Sequence, residues 1–168
     1  MPGILVQKTD RINDCAGPVA VRYPRGGNGN YSASDWSGPD AAVKCHREGK
    51  DITLITYGTM LDNVLEAAQL LHDQGVEAQV LRLLTMDFSQ VAPLLPENAP
   101  VVVVEESAHG SGISQDLSYE IHKTSPRPVY GLDLGHRFVT HGSKPELYQH
   151  YGLDAASIAN FAKEVLAP

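Results

Sequence analysis

The sequence predicts a three-layer α/β/α domain built on a mostly parallel five-stranded sheet. Three observations carry that expectation. Short runs rich in β-branched residues, such as DITLITY at 51–57 and PVVVVE at 100–105, read as strands buried on both faces. Each is followed by a turn containing Gly and then a helical pattern, so strand, turn and helix recur in one order. A unit of strand, helix and strand needs a parallel pair with a right-handed crossover, which brings helices onto the sheet faces.

Taken in order, 41–46 alternates loosely and ends at the turn Arg47, Glu48, Gly49, so it reads as a first strand; 51–57 is the second. A helix is expected over 60–74, where Leu61, Val64, Leu65, Ala68 and Leu71 recur at three- and four-residue spacing, with Thr59 placed to cap its start and Gly75 its end. A strand over 76–83 completes the first parallel unit. The spacing over 88–95 predicts a short helix stopped by Pro96, and 100–105 is the most apolar strand. A Gly and Ser turn at 106–112 opens a helix over 113–123, and 127–134 reads as a fifth strand. The loop 135–143 carries His136, Arg137 and His141, and two helices close the chain over 145–151 and 154–166, with Ser143 and Asp154 as their caps.

Ahead of this regular region the chain changes character. Residues 1–26 read as a remnant or an arm. Residues 27–39 have the Gly, Ser and Asn content of a linker, with Tyr31 and Trp36 as aromatic anchors, and 40–168 form the main domain. Hydrophobic residues at 42% and charged residues at 20% suit a soluble globular chain. With 13 Lys and Arg against 20 Asp and Glu, the net charge of −7 argues against a nucleic-acid or anionic-membrane surface. Cys15 and Cys45 stand in no metal spacing and follow no secretory leader, so free thiols in a cytoplasmic chain are expected. No apolar run approaches the roughly 20 residues that span a bilayer.

Chemistry has two places to sit. In GPVAVRYPRGG, residues 17–27, a short β-prone run ends at Arg22 and Arg25 on either side of Tyr23 and Pro24. Two guanidiniums at a strand end beside glycines can hold a phosphate or carboxylate, although arginines there are more often solvated. The second place is the carboxyl edge of the sheet, where the turns gather Tyr57, Gly58 and Thr59; Glu105, Glu106, His109 and Ser111; and His136, Arg137, His141 and Ser143. Within it, Gly110, Ser111 and Gly112 form a candidate anion-binding turn at a helix start, but they match neither a dinucleotide fingerprint nor a phosphate loop with its lysine. A hydrolase built from Ser111, His141 and Asp133 lacks the nucleophile-elbow pattern. His136 and His141 lack the spacing of a zinc site, so no metal ligands are assigned. Glu105 and Glu106 are adjacent and so make a poor acid/base pair; one of them can instead cap the turn that follows. No catalytic residue is assigned.

Four segments in their order carry a resemblance: GPVAVRYPRG, EGKDITLITYGTMLDNVLEAAQLL, VVVVEES with its Gly turn, and RFVTHGSKPELYQHYGLDAASI. Together they resemble the C-terminal portion of the 1-deoxy-D-xylulose-5-phosphate synthases. The middle alone is similar to the C-terminal domains of transketolases and of the beta subunits of 2-oxoacid dehydrogenases, where the domain is a partner-docking module. The resemblance implies a transketolase C-terminal-domain-like fold preceded by a remnant strand of a pyrimidine-binding domain. It implies a parent transferase, cytoplasmic and homodimeric, that joins pyruvate to D-glyceraldehyde 3-phosphate with loss of carbon dioxide for isoprenoid and thiamine synthesis. Thiamine diphosphate and magnesium would be bound by domains absent from this chain, since no GDG motif followed by Asn occurs, and neither is expected on it. The second arginine of the RYPRG motif belongs to the substrate-phosphate site, which carries over to Arg25; Arg22 takes no such role. The isolated chain is therefore expected to be inert and to contribute dimer contacts and active-site closure. Residues 19–23 would form an edge strand without its sheet, disordered, lying on the main domain or paired with another copy. A free-standing regulatory protein that binds a phosphorylated metabolite at 110–112 is the third reading.

Overall fold

A computed structural model describes residues 16–20 and 41–167. The chain divides into two units, Met1–Ala41 and Ala42–Pro168. Residues 16–20 are exposed and in neither helix nor strand. Arg25, the linker and most of the expected edge strand lie outside the described residues.

The second unit holds a five-stranded sheet of order β1-β3-β2-β4-β5, with β1 Val43–Arg47, β2 Ile52–Thr56, β3 Ala78–Leu83, β4 Val101–Val104 and β5 Val129–Leu132. β2 pairs in parallel with both β3 and β4, and β4 with β5; β1 alone runs antiparallel, against β3, with a register slip between Cys45 and Arg47. The mostly parallel five-stranded sheet expected from the sequence is thus present. Every residue of β2, β3 and β4 is buried, so no polar and apolar alternation appears; β4 is wholly apolar, and the buried Thr53, Thr56 and Gln79 of the other two strands are hydrogen-bonded.

Helix α1, Leu61–His72, and the last helix, α4, Ala155–Leu166, pack on each other. Their buried faces mix Leu61, Val64 and Leu71 with the small Ala67, Ala68, Ala155, Ala159 and Ala162, which permit close approach of the two helices. The opposing cluster joins Leu117 and Ile121 of α2, Ser114–Thr124, to Ile55, Leu81, Val101 and Val103 of the sheet and Val91 of the β3 to β4 connection. Alternate side chains of each strand therefore feed two cores, giving the three layers.

Two local expectations need correction. Residues 88–95 form two 3₁₀ turns, Phe88–Gln90 and Ala92–Leu94, instead of one helix. Pro93 has no N–H to continue a ladder, and the Asp87 side chain caps the start of the first turn by accepting the Ser89 amide. Thr59 does not cap α1: Gly58–Met60 is itself a 3₁₀ turn, and the Thr59 hydroxyl accepts Lys144 Nζ at 3.0 Å. The two later caps stand as expected. Asp154 accepts the amides of Ala156 and Ser157. Ser143 and Glu146 form a reciprocal capping box on α3, Lys144–Tyr151.

Candidate functional site at the carboxyl edge of the sheet

From β2 the chain first adds β3 on one side and then crosses to β4 on the other. The switch point of this sheet therefore lies between the carboxyl ends of β2 and β4, where open α/β folds hold ligands. Tyr57, Gly58 and Thr59 follow β2 there; Glu105, Glu106 and Ser107 follow β4.

Glu105 is 1% exposed. Its carboxylate accepts the backbone N–H of Ile113 at 2.8 Å and of Ser114 at 3.3 Å, and the Tyr57 hydroxyl donates to it at 3.3 Å. It therefore supplies the negative charge that the start of α2 attracts. Gly112 is what lets it enter, because a Cβ at that residue would fall 2.0 Å from Glu105 Oε2. Ser111 sends both its N–H and its hydroxyl to the Ala108 carbonyl. An external anion at the Gly110, Ser111, Gly112 turn would thus approach a buried carboxylate; at 4 Å and an effective dielectric near 20, two like charges repel by about 4 kcal/mol.

Beside Glu105, Glu106 turns outward and receives the Tyr148 hydroxyl at 2.7 Å, with Lys144 Nζ 3.7 Å away. Lys144 also donates to Thr59, so α3 is tied to the ends of both central strands. Burial pushes the Tyr148 phenol well above its ordinary range, and the hydrogen bond to Glu106 and that group's charge push the same way. Neither Lys144 nor Tyr148 stands out in the sequence, although their i, i+4 spacing after a capping Ser places both on one helix face.

A second cluster lies past β4 and β5. His109 Nδ1 and Asp133 Oδ2 are 2.9 Å apart, and the His109 and His136 rings meet edge to face at 4.4 Å. Asp133, 9% exposed at its side chain, also accepts the Gly135 N–H at 2.8 Å. The Ser111, His141, Asp133 arrangement is not assembled: Asp133 pairs with His109, and Ser111 is occupied with Ala108. Among the described residues no group of three His, Cys, Asp or Glu could hold a metal ion, and no helix is long and apolar enough to cross a membrane.

Residues 41–158 match the family model described as transketolase, C-terminal domain. Among curated relatives, the chain is 34% identical to a 1-deoxy-D-xylulose-5-phosphate synthase of Chlorobium luteolum, over 88% of this chain and 24% of that protein. It is 29% identical to the synthase of that name from Vibrio campbellii, over 99% of this chain and 29% of that one. The chain thus spans about a quarter of the length of these relatives. Among solved structures, a split-gene transketolase described as an inactive beta4 tetramer matches with a TM-score of 0.67 and 24% identity, covering 81% of this chain and 44% of that one. A transketolase of Pichia stipitis matches with a TM-score of 0.56 and 20% identity, over 74% and 18%. At such identities these two show the shared fold.

Proposed function

The chain belongs to the transketolase C-terminal domain family, and on that premise we propose that it is the C-terminal portion of a thiamine-diphosphate-dependent 1-deoxy-D-xylulose-5-phosphate synthase. The parent would condense pyruvate with D-glyceraldehyde 3-phosphate, releasing carbon dioxide, in a cytoplasmic homodimer that feeds isoprenoid and thiamine synthesis. The observation that carries this reading is likeness along nearly the whole chain to several synthases of one name, which reaches back through 17–27 as well as the family domain.

The group that performs the carbon chemistry, thiamine diphosphate with magnesium, would be held by the remaining portion of the parent. In this proposal the domain's own work is to contribute dimer contacts and to help close the active site. Its polar groups at the sheet edge suit that work, since Glu105, Glu106, Lys144 and Tyr148 fasten helices to strand ends. Arg25 is proposed to hold the phosphate of the aldehyde substrate by charge-assisted hydrogen bonds.

The test is a full-length synthase in which this chain replaces the matching quarter of the Chlorobium luteolum protein. It is expected to form 1-deoxy-D-xylulose 5-phosphate, and Arg25→Gln should raise KM for glyceraldehyde 3-phosphate by about tenfold, as loss of one charge-assisted contact does. The 168-residue chain alone, given both substrates, thiamine diphosphate and magnesium, is expected to release no carbon dioxide. Turnover by the isolated chain would refute the proposed division of labour.

A further inference from the structure

The loop between β5 and α3, residues 135–143, carries a feature that the proposed function does not use. Phe138 at its tip is 100% exposed and Val139 beside it is 49% exposed. Single exposed apolar residues are ordinary on protein surfaces, but this one rides on a backbone held at several points. Gly135 takes a positive φ of 71°. Its N–H goes to Asp133, and its carbonyl accepts the His109 N–H at 3.1 Å. The Tyr151 hydroxyl donates to the Phe138 carbonyl and accepts the Thr140 N–H, both at 3.2 Å. The capping box at Ser143 fixes the far end. An aromatic presented on a preorganised loop loses little backbone entropy on contact, which is the character of an interface anchor.

We propose that the 135–143 loop, led by Phe138 and Val139, is the docking surface by which this domain seats on the remaining portion of the full-length synthase. This rests on the proposed function. Two facts select that occupant. About three-quarters of the length of the relatives lies outside this chain, so a larger body of the same polypeptide is available to cover the loop. The loop's own nine residues include His136, Arg137 and His141 and no carboxylate, on a chain of net charge −7, while the carboxylates bonded to its two ends, Asp133 and Glu146, are engaged by Gly135 and His109 and by Ser143. Its counterpart is accordingly an apolar pocket with an acidic rim.

Hydroxyl-radical footprinting tests this on the unmodified side chain. Phe138 oxidation is measured in the 168-residue chain and in the full-length synthase carrying it, with Tyr119, 66% exposed on α2, as the internal reference. The expected result is about a tenfold drop at Phe138 in the full-length protein, as full burial of an aromatic ring requires, with Tyr119 unchanged. Equal Phe138 oxidation in the two proteins overturns the proposal, and so does equal protection of Tyr119. Protection already present in the isolated chain and increasing with its concentration also overturns it, assigning the loop to self-association. Product formation by the same full-length protein is read separately, so that an active enzyme with an unprotected Phe138 defeats the docking loop and leaves the synthase reading standing.

Discussion

Replacing Gly112 by Ala puts a methyl group where the Glu105 carboxylate lies. The new Cβ would stand 2.0 Å from Oε2, 2.2 Å from Cδ and 2.4 Å from Oε1, far inside the roughly 3.5 Å of ordinary contact. The backbone at 112 is not in the left-handed region, so the clash alone sets the cost. The carboxylate has nowhere solvated to go, being 1% exposed. Displacing it gives up the bonds from the Ile113 and Ser114 amides, of which the second, at 3.3 Å, is the weaker. Hydrogen bonds to a charged group contribute about 1.5–3 kcal/mol each, so the expected loss is on the order of 3 kcal/mol. With a urea m-value near 2 kcal/mol/M, the unfolding midpoint followed by circular dichroism should fall by about 1.5 M. Glu105→Ala removes the carboxylate, and adding Gly112→Ala to that background should cost under about 1 kcal/mol, a coupling of roughly 2 kcal/mol. A midpoint shift below about 0.3 M for Gly112→Ala, or additivity of the two substitutions, would refute the reasoning.

Three further outcomes follow from the same geometry. Because the folded state raises the Tyr148 phenol above its ordinary 10.0, unfolded chains lose that proton first; stability should decline as pH climbs past about 10, and Tyr148→Phe should lessen the decline in alkaline urea titrations. Burial, followed by a hydrogen bond to Glu48 and that group's charge, pushes the Cys45 thiol up to about 11. In a Cys15→Ser chain at pH 8, a disulfide reagent should therefore label Cys45 at least about tenfold more slowly than in urea, and equal rates would contradict the burial. Asp133→Ala should speed amide exchange at Gly135 by about tenfold while leaving α1 and α4 protected. Unchanged exchange at Gly135 would mean that Asp133 does not hold the loop.

Much of the fold is legible in the sequence because its causes are local or compositional. Four consecutive Val residues at 101–104 read directly as a doubly buried strand, and Ser143 and Asp154 announce their helices through short-range capping chemistry. The misread features have distant causes or share a pattern with something else. Thr59 looks like a cap, but its hydroxyl belongs to Lys144, 85 residues away. Phe88, Val91 and Leu95 have helical spacing that also serves two 3₁₀ turns packed on the sheet. Glu105 could be read as capping the turn that follows it, but choosing it over Glu106 required knowing which of the two faces inward. The pairing of His109 with Asp133 joins two residues that the sequence offers separately.

The switch-point crevice decides how the retained domain should be viewed. In open α/β sheets this is where backbone amides and a helix start receive a ligand's charge. In this chain Glu105 takes the amides that open α2, Glu106 takes Tyr148, and Lys144 takes Thr59. Glu105 links two consecutive elements while Glu106 and Lys144 join elements distant in sequence, and together they tie the ends of β2 and β4 to α2 and α3. Emptying the crevice for an anion would expose a buried carboxylate and loosen α3, which carries the 135–143 loop at its start. The polar residues that resemble a binding site by composition are thus better explained as internal fastening. The fully exposed Phe138 sits instead on a loop with its own ties, to Asp133, His109 and Tyr151.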